Sequence, residues 1–171
     1  MSDDLRYEER LSSRRTTALF AALTLLCLAL WAWRRGAGDR GTVTGLLGCF
    51  GFMFLFYVLN YRTLTIRLDP GALRLQFGLF SWVAPWENVA SAELDEIPAS
   101  MYYGGAGIHF MTISGRYRAS FNLLEYPRVV VAFKRKLGPV RDLSFSTRRP
   151  DEVLRVIRQA AESQGGERRV G

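Results

Sequence analysis

Histidine and cysteine are nearly missing from this chain, which has one histidine, His109, and two cysteines, Cys27 and Cys49, in 171 residues. A single histidine excludes a histidine-rich metal site. Both cysteines lie inside long uncharged runs, where they read as small apolar side chains and not as a disulfide or metal pair. No cysteine follows residue 61, which excludes thiol catalysis and cysteine-ligated zinc in the rest of the chain. Charge is scarce in one region: residues 16–61 carry only four charged side chains, Arg34, Arg35, Asp39 and Arg40, all in one short gap. The whole-chain values, 49% hydrophobic and 23% charged, match an ordinary globular protein and conceal this division. The division excludes a simple soluble protein, a disordered chain and a disulfide-rich secreted module.

What is present instead is two long apolar runs. Residues 16–33 form an uncharged stretch of 18, and residues 42–61 one of 20. A helix rises about 1.5 Å per residue, so about 20 apolar residues cross a hydrocarbon core of about 30 Å. Trp31 and Trp33 end the first run, where indoles favour the bilayer interface. A cleaved signal peptide is the alternative for that run. The acidic residues upstream (Asp3, Asp4, Glu8, Glu9), Arg34 and Arg35 after it, and the lack of a clear small-x-small cleavage site argue against it. The gap over residues 34–41 is glycine-rich and short, so the helices are expected as an antiparallel hairpin. Gly45, Gly48 and Gly51 recur along the second helix, and small residues permit close packing in lipid. They could serve association between molecules; packing within the hairpin is the expectation. Four arginines precede the first run (Arg6, Arg10, Arg14, Arg15) and three follow the second (Arg62, Arg67, Arg74), against three in the gap. The positive-inside bias therefore places both termini in the cytoplasm of a two-pass protein of the cell (inner or plasma) membrane.

Residues 62–171 carry 16 basic and 11 acidic side chains, and their pattern changes from continuous to alternating. Leu64, Ile66 and Leu68 alternate up to an Asp69-Pro70-Gly71 turn. Leu73, Leu75 and Phe77 alternate next, then Phe80, Trp82 and Ala84 before Pro85. Further extended stretches begin at Val89, Ile108 and Tyr117, with a Ser114-Gly115 turn between the last two, and others run over residues 129–133 and 140–145. Pro150 then opens a helix with Asp151 and Glu152 in its first turn. Val153, Ile157 and Ala160 share one face, and the helix is expected to end near Ser163. The resulting organisation is an N-terminal cytoplasmic segment over residues 1–15, a two-helix transmembrane hairpin over 16–61, a domain over 62–164, and a disordered tail over 165–171.

About seven short strands closed by one amphipathic helix resemble a pleckstrin-homology-like (PH-like) barrel. The chain is similar to a bacterial family of membrane-anchored PH-like domains that follow one or two transmembrane hairpins. The resemblance rests on the strand–turn–strand over residues 64–77 and the Val83-Ala84-Pro85-Trp86-Glu87-Asn88-Val89 bend. It rests also on the Tyr103-Gly104-Gly105-Ala106-Gly107-Ile108 stretch and the Phe145-Ser146-Thr147-Arg148-Arg149-Pro150-Asp151 junction. It implies the fold class: α+β, two transmembrane helices in a hairpin followed by a PH-like antiparallel β-barrel of about seven strands, capped by a C-terminal helix. Phosphoinositide-binding PH domains hold the headgroup with basic residues around the first strand-to-strand loop. Here that loop is Asp69-Pro70-Gly71-Ala72, short and acidic, so the usual headgroup pocket is not expected.

No catalytic constellation emerges. There is neither a GxSxG nor a GxxxxGK[ST] motif, and the glycines around Gly104 lack a βαβ context. His109 reads as a strand-face residue, and Glu93, Asp95 and Glu96 as a solvated edge that discourages strand pairing. No cofactor, metal or nucleic acid is expected, since no basic–aromatic interleaving marks a base-stacking surface. The candidate lipid or partner surface is basic: Arg116, Arg118, Lys134, Arg135, Lys136, Arg141, Arg148 and Arg149. Tyr102 and Tyr103, beside flexible glycines, are a candidate contact loop. The expected function is non-enzymatic: an integral membrane protein displaying a cytoplasmic PH-like domain for protein–protein assembly, with a protein partner or self-association. The alternative is binding of anionic lipid surfaces through the basic patch.

Overall fold

The computed structural model describes residues 7–97, 107–123 and 125–167. Two compact units result, one spanning Ser13–Thr63 and the other assembled from Met1–Ser12 together with Leu64–Gly171.

The first unit is a pair of helices, α1 (Arg14–Gly36) and α2 (Thr42–Asn60), both long and apolar enough to cross a membrane. Their contacts run in opposite order along the chain. Phe20 stacks on Tyr57 with ring centres 5.3 Å apart, while Trp31 lies against Gly48 nearer the other end. A Cβ on Gly51 would sit 2.6 Å from Leu28 Cδ2, and one on Gly48 2.9 Å from Trp31 Nε1. Close approach therefore needs glycine at these two positions, as expected for packing within the pair, whereas Gly45 faces open space. Ser13 caps α1, its Oγ accepting the Thr16 N–H at 3.1 Å, which starts the helix earlier than residue 16. In the connection, Arg34 pairs with Asp39 and donates to Thr44 Oγ1 at 3.0 Å. Large apolar side chains point outward, with Leu25 71% and Leu59 69% exposed. A core helix of a water-soluble fold would cover them.

The second unit holds nine strands among the described residues, in two sheets. The first has the order β1-β2-β3-β4, from β1 (Tyr7–Ser12), β2 (Thr63–Leu68), β3 (Ala72–Phe77) and β4 (Phe80–Pro85). The second has the order β5-β8-β9-β7-β6, from β5 (Val89–Leu94), β6 (Gly107–Ile113), β7 (Arg116–Asn122), β8 (Arg128–Leu137) and β9 (Val140–Ser146). The expected closed antiparallel barrel of about seven strands is thus replaced by two sheets. A 3₁₀ turn over Trp86–Asn88 breaks the chain between β4 and β5, and β5 pairs with β8 instead of β4. β7 and β9 pair in parallel, which a simple antiparallel meander does not allow.

The eight extended stretches read from the sequence are β2 to β9; β1 is additional. The sequence places residues 1–15 outside the domain, but Tyr7–Ser12 enters the first sheet beside β2. Tyr7, Glu9 and Leu11 are buried while Glu8, Arg10 and Ser12 are exposed, the period of a half-buried strand. The two helices are therefore inserted, in chain order, between neighbouring strands of one sheet.

Both sheets supply buried apolar side chains to the core. Leu64, Ile66 and Leu68 on β2 face Phe77, Leu75 and Leu73 across the β2–β3 register, all buried. Val129, Val131, Phe133, Leu143 and Phe145 supply buried side chains from the second sheet. The C-terminal helix α3 (Pro150–Glu167) buries Val153, Ile157 and Ala160, as its periodicity predicts. It continues past Ser163 through Gly165 and Gly166, where the sequence suggested a stop and a disordered tail. The β6–β7 turn places Ser114 and Gly115 at φ 49° and 76°, the pair of positive values a tight two-residue hairpin requires.

Candidate functional site

The structure divides the eight predicted basic residues into three groups. Lys134, Arg135 and Lys136 occupy the end of β8, where the β8–β9 register shifts between Ala132 and Leu137. With Pro85, Glu87, Asn88 and Leu137 they line an open groove of about 310 Å³. Asn88 holds the groove wall like a ladder partner: its Nδ2 donates to the Arg135 carbonyl at 3.0 Å, and its Oδ1 accepts the Arg135 N–H at 2.9 Å. Lys134 Nζ donates to the Glu87 carbonyl at 3.1 Å. Among the described residues no carboxylate pairs with Lys134, Arg135, Lys136 or the nearby exposed Arg141.

Arg116 and Arg118 are not part of such a surface. On the face of the second sheet turned from the apolar core, Arg116 Nη2 lies 2.7 Å from Asp142 Oδ1. That hydrogen-bonded carboxylate holds Arg116 above its ordinary pKa. Arg118 is 8% exposed and sits between Asp95 at 3.6 Å and Asp142 at 3.7 Å. Arg128, also buried, lies 3.4 Å from Asp95, whose Oδ2 accepts the Ser144 hydroxyl at 3.0 Å. The side chain of Asp95 is 1% exposed, so the expected solvated edge holds for Glu93 and Glu96 but not for Asp95. This buried ion network is the feature that sequence reasoning missed. Its members come from four strands or strand ends, and no local spacing joins them.

Arg148 and Arg149 form the third group. Arg148 lies over the Tyr126 ring at 5.3 Å, and Arg149 pairs with Glu152 at 3.1 Å. Both brace the junction before α3. Tyr102 and Tyr103 lie outside the described residues. His109 stands opposite Ser120 in the β6–β7 register. His109 Nε2 and the wholly buried Ser120 Oγ have no hydrogen-bond partner, so the two do not form a nucleophile–base pair. Among the described residues no three His, Cys, Asp or Glu side chains gather as a metal site.

The acidic turn between β2 and β3 is engaged in packing. Trp86 is 1% exposed and donates its indole N–H to the Asp69 carbonyl at 2.8 Å, while Arg74 Nε donates to the Asp69 carboxylate at 2.6 Å. The Pro-Trp bend thereby pins the Asp-Pro-Gly turn.

A second surface is aromatic. β4 and β6 are each an edge strand of their sheet, as are β1 and β5 at the opposite edges. Trp82 on β4 lies 6.4 Å from Phe110 on β6, and Phe110 stacks on Tyr117 at 6.2 Å. Phe80 continues the run on the same face of β4. Phe80 is 44% and Phe110 48% exposed. The Trp82 indole N–H is buried without an acceptor. An edge strand beside exposed aromatic rings can accept an added strand and bury its apolar side chains.

Comparison with protein-family models, with curated proteins and with solved structures gave no match.

Proposed function

We propose that this chain is a non-enzymatic, two-pass integral membrane protein that displays a PH-like domain in the cytoplasm for protein–protein assembly. The domain leaves off at Ser12 and resumes at Leu64 in neighbouring strands of one sheet. A chain that crosses a bilayer twice returns to the side it left, so an inserted helical pair suits this connectivity. The positive-inside count assigns that side to the cytoplasm. The PH-like reading draws its support from the order of elements, strands followed by one amphipathic helix, with two sheets in place of a barrel.

The observation that carries the binding role is the aromatic run Phe80–Trp82–Phe110–Tyr117, whose first three rings lie on edge strands β4 and β6 and whose last lies on neighbouring β7. Half-exposed rings beside unsatisfied Trp82 suit an extended segment of a protein partner, added at the edge of β4 or β6. A photo-crosslinking phenylalanine analogue at Phe110, in the full chain in native membranes, tests this. A single recurring protein adduct is expected, absent when the analogue replaces Gln76 on the outer face of β3. Equal adducts from both positions, or none from Phe110, would remove the main support for an assembly role.

A further inference from the structure

We infer that the groove between the 3₁₀ turn and the end of β8 binds the phosphate-bearing headgroup of an anionic phospholipid. Three observations support the assignment. The first is charge: Lys134, Arg135 and Lys136 converge on one groove of about 310 Å³ against a single carboxylate, Glu87. The second is availability. Of the eight basic candidates, Arg116, Arg118 and Arg149 pair with carboxylates and Arg148 lies over Tyr126. The groove cations and adjacent Arg141 have no carboxylate partner among the described residues. The third is partial preorganisation. Asn88 fixes both backbone polar groups of Arg135, and the Glu87 carbonyl holds the Lys134 ammonium, so the backbone of the wall and one of its cations are placed before binding.

The lipid source follows from the short connectors. One residue, Ser13, separates β1 from α1, and two, Tyr61 and Arg62, separate α2 from β2. A domain tethered so closely to membrane-crossing helices meets headgroups at a high effective concentration, so a weak site suffices. The site is distinct from the pinned, acidic β2–β3 turn. This inference rests on the membrane reading but not on the protein-partner reading, and crosslinking from Phe110 can fail without affecting it.

The experiment uses the full chain in neutral detergent micelles, with bound lipid counted by native mass spectrometry. Phosphatidylglycerol is titrated against phosphatidylcholine. The wild-type chain is expected to prefer phosphatidylglycerol at least tenfold, and the Lys134→Gln, Arg135→Gln, Lys136→Gln triple variant to lose that preference at least tenfold. Arg148→Gln with Arg149→Gln should leave it unchanged, which separates the groove from general basicity. Raising salt from 50 to 500 mM should weaken the wild-type preference, because exposed charges are screened over about 8 Å at physiological ionic strength. A triple variant that keeps the preference would overturn the assignment. Loss of lipid on adding 1 mM inorganic phosphate would overturn the lipid source in favour of a soluble phosphate ligand.

Discussion

Glu9 accepts a 2.6 Å hydrogen bond from the Thr147 hydroxyl across 138 positions of chain, joining the first strand to the start of the last helix. Its other oxygen accepts the Arg148 N–H at 3.0 Å, and Tyr7 donates to the same carboxylate at 2.9 Å. Tyr126 adds a bond to the Ser12 carbonyl at 3.2 Å. The chain on the far side of the inserted helices is thereby a structural part of the domain. Beyond its place beside β2, β1 is therefore tied to the segment that opens α3.

Replacing Glu9 tests this joint. Glu9→Ala removes the acceptor of the Tyr7 hydroxyl, the Thr147 hydroxyl and the Arg148 N–H. Hydrogen bonds to charged groups are each worth about 1.5–3 kcal/mol. Urea unfolding of the full chain in detergent should show a loss of at least about 3 kcal/mol. A change below about 0.5 kcal/mol, the size typical of surface substitutions, would mean that β1 is not docked.

Alkaline pH tests the same joint from another direction. Burial, with a hydrogen bond and negative charge from Glu9, pushes the Tyr7 hydroxyl up to about 12. Between about pH 10 and 12 the unfolded chain has released this proton and the folded chain has not, so stability falls as pH rises. Below pH 10 the contribution is fully present. The loss from this group approaches 2 kcal/mol in order of magnitude. Tyr7→Phe should flatten that part of the stability–pH curve, and an unchanged slope would contradict the placement of Tyr7.

The buried network makes a sharper demand. Asp142→Ala strips Arg116 and Arg118 of a shared partner. Breaking a buried ion pair by removing one member costs about 3–5 kcal/mol. The expected result is a fall in unfolding free energy of about that size, read by urea unfolding of the full chain in detergent, and a fall below about 0.5 kcal/mol would contradict the burial of the network. Replacing exposed Arg141 by Ala should change stability by less than about 0.5 kcal/mol.

Within the helical pair, Gly51→Leu should destabilise packing by about 1–3 kcal/mol, because its first added atom already meets Leu28. Gly45→Leu faces open space and should be neutral. Equal effects, read as thermal unfolding of the pair in detergent, would contradict the observed face.

Much of the fold was legible from local periodicity. Strands β2 to β9 follow runs of alternating or β-branched residues, and the α3 face follows from Val153, Ile157 and Ala160. β1 was hidden because one of its inward residues is Glu9, a carboxylate whose partners lie at the other end of the chain. The barrel expectation failed at Trp86–Asn88, where a one-turn helix separates strands that a meander would pair. Of the candidate surface, the Lys134–Lys136 cluster was visible as a charge run. Arg118 was misplaced because Asp95 and Asp142, which bury it, are remote in sequence.

The two-pass topology underlies both proposed binding roles. Single cysteines at Arg10, Arg40 and Arg155, in a chain carrying Cys27→Ser and Cys49→Ser, test it directly in intact cells with a membrane-impermeant maleimide. The account predicts labelling at position 40 alone, with positions 10 and 155 labelled only after permeabilisation. Equal labelling of all three, or opposite behaviour at positions 10 and 155, would contradict it.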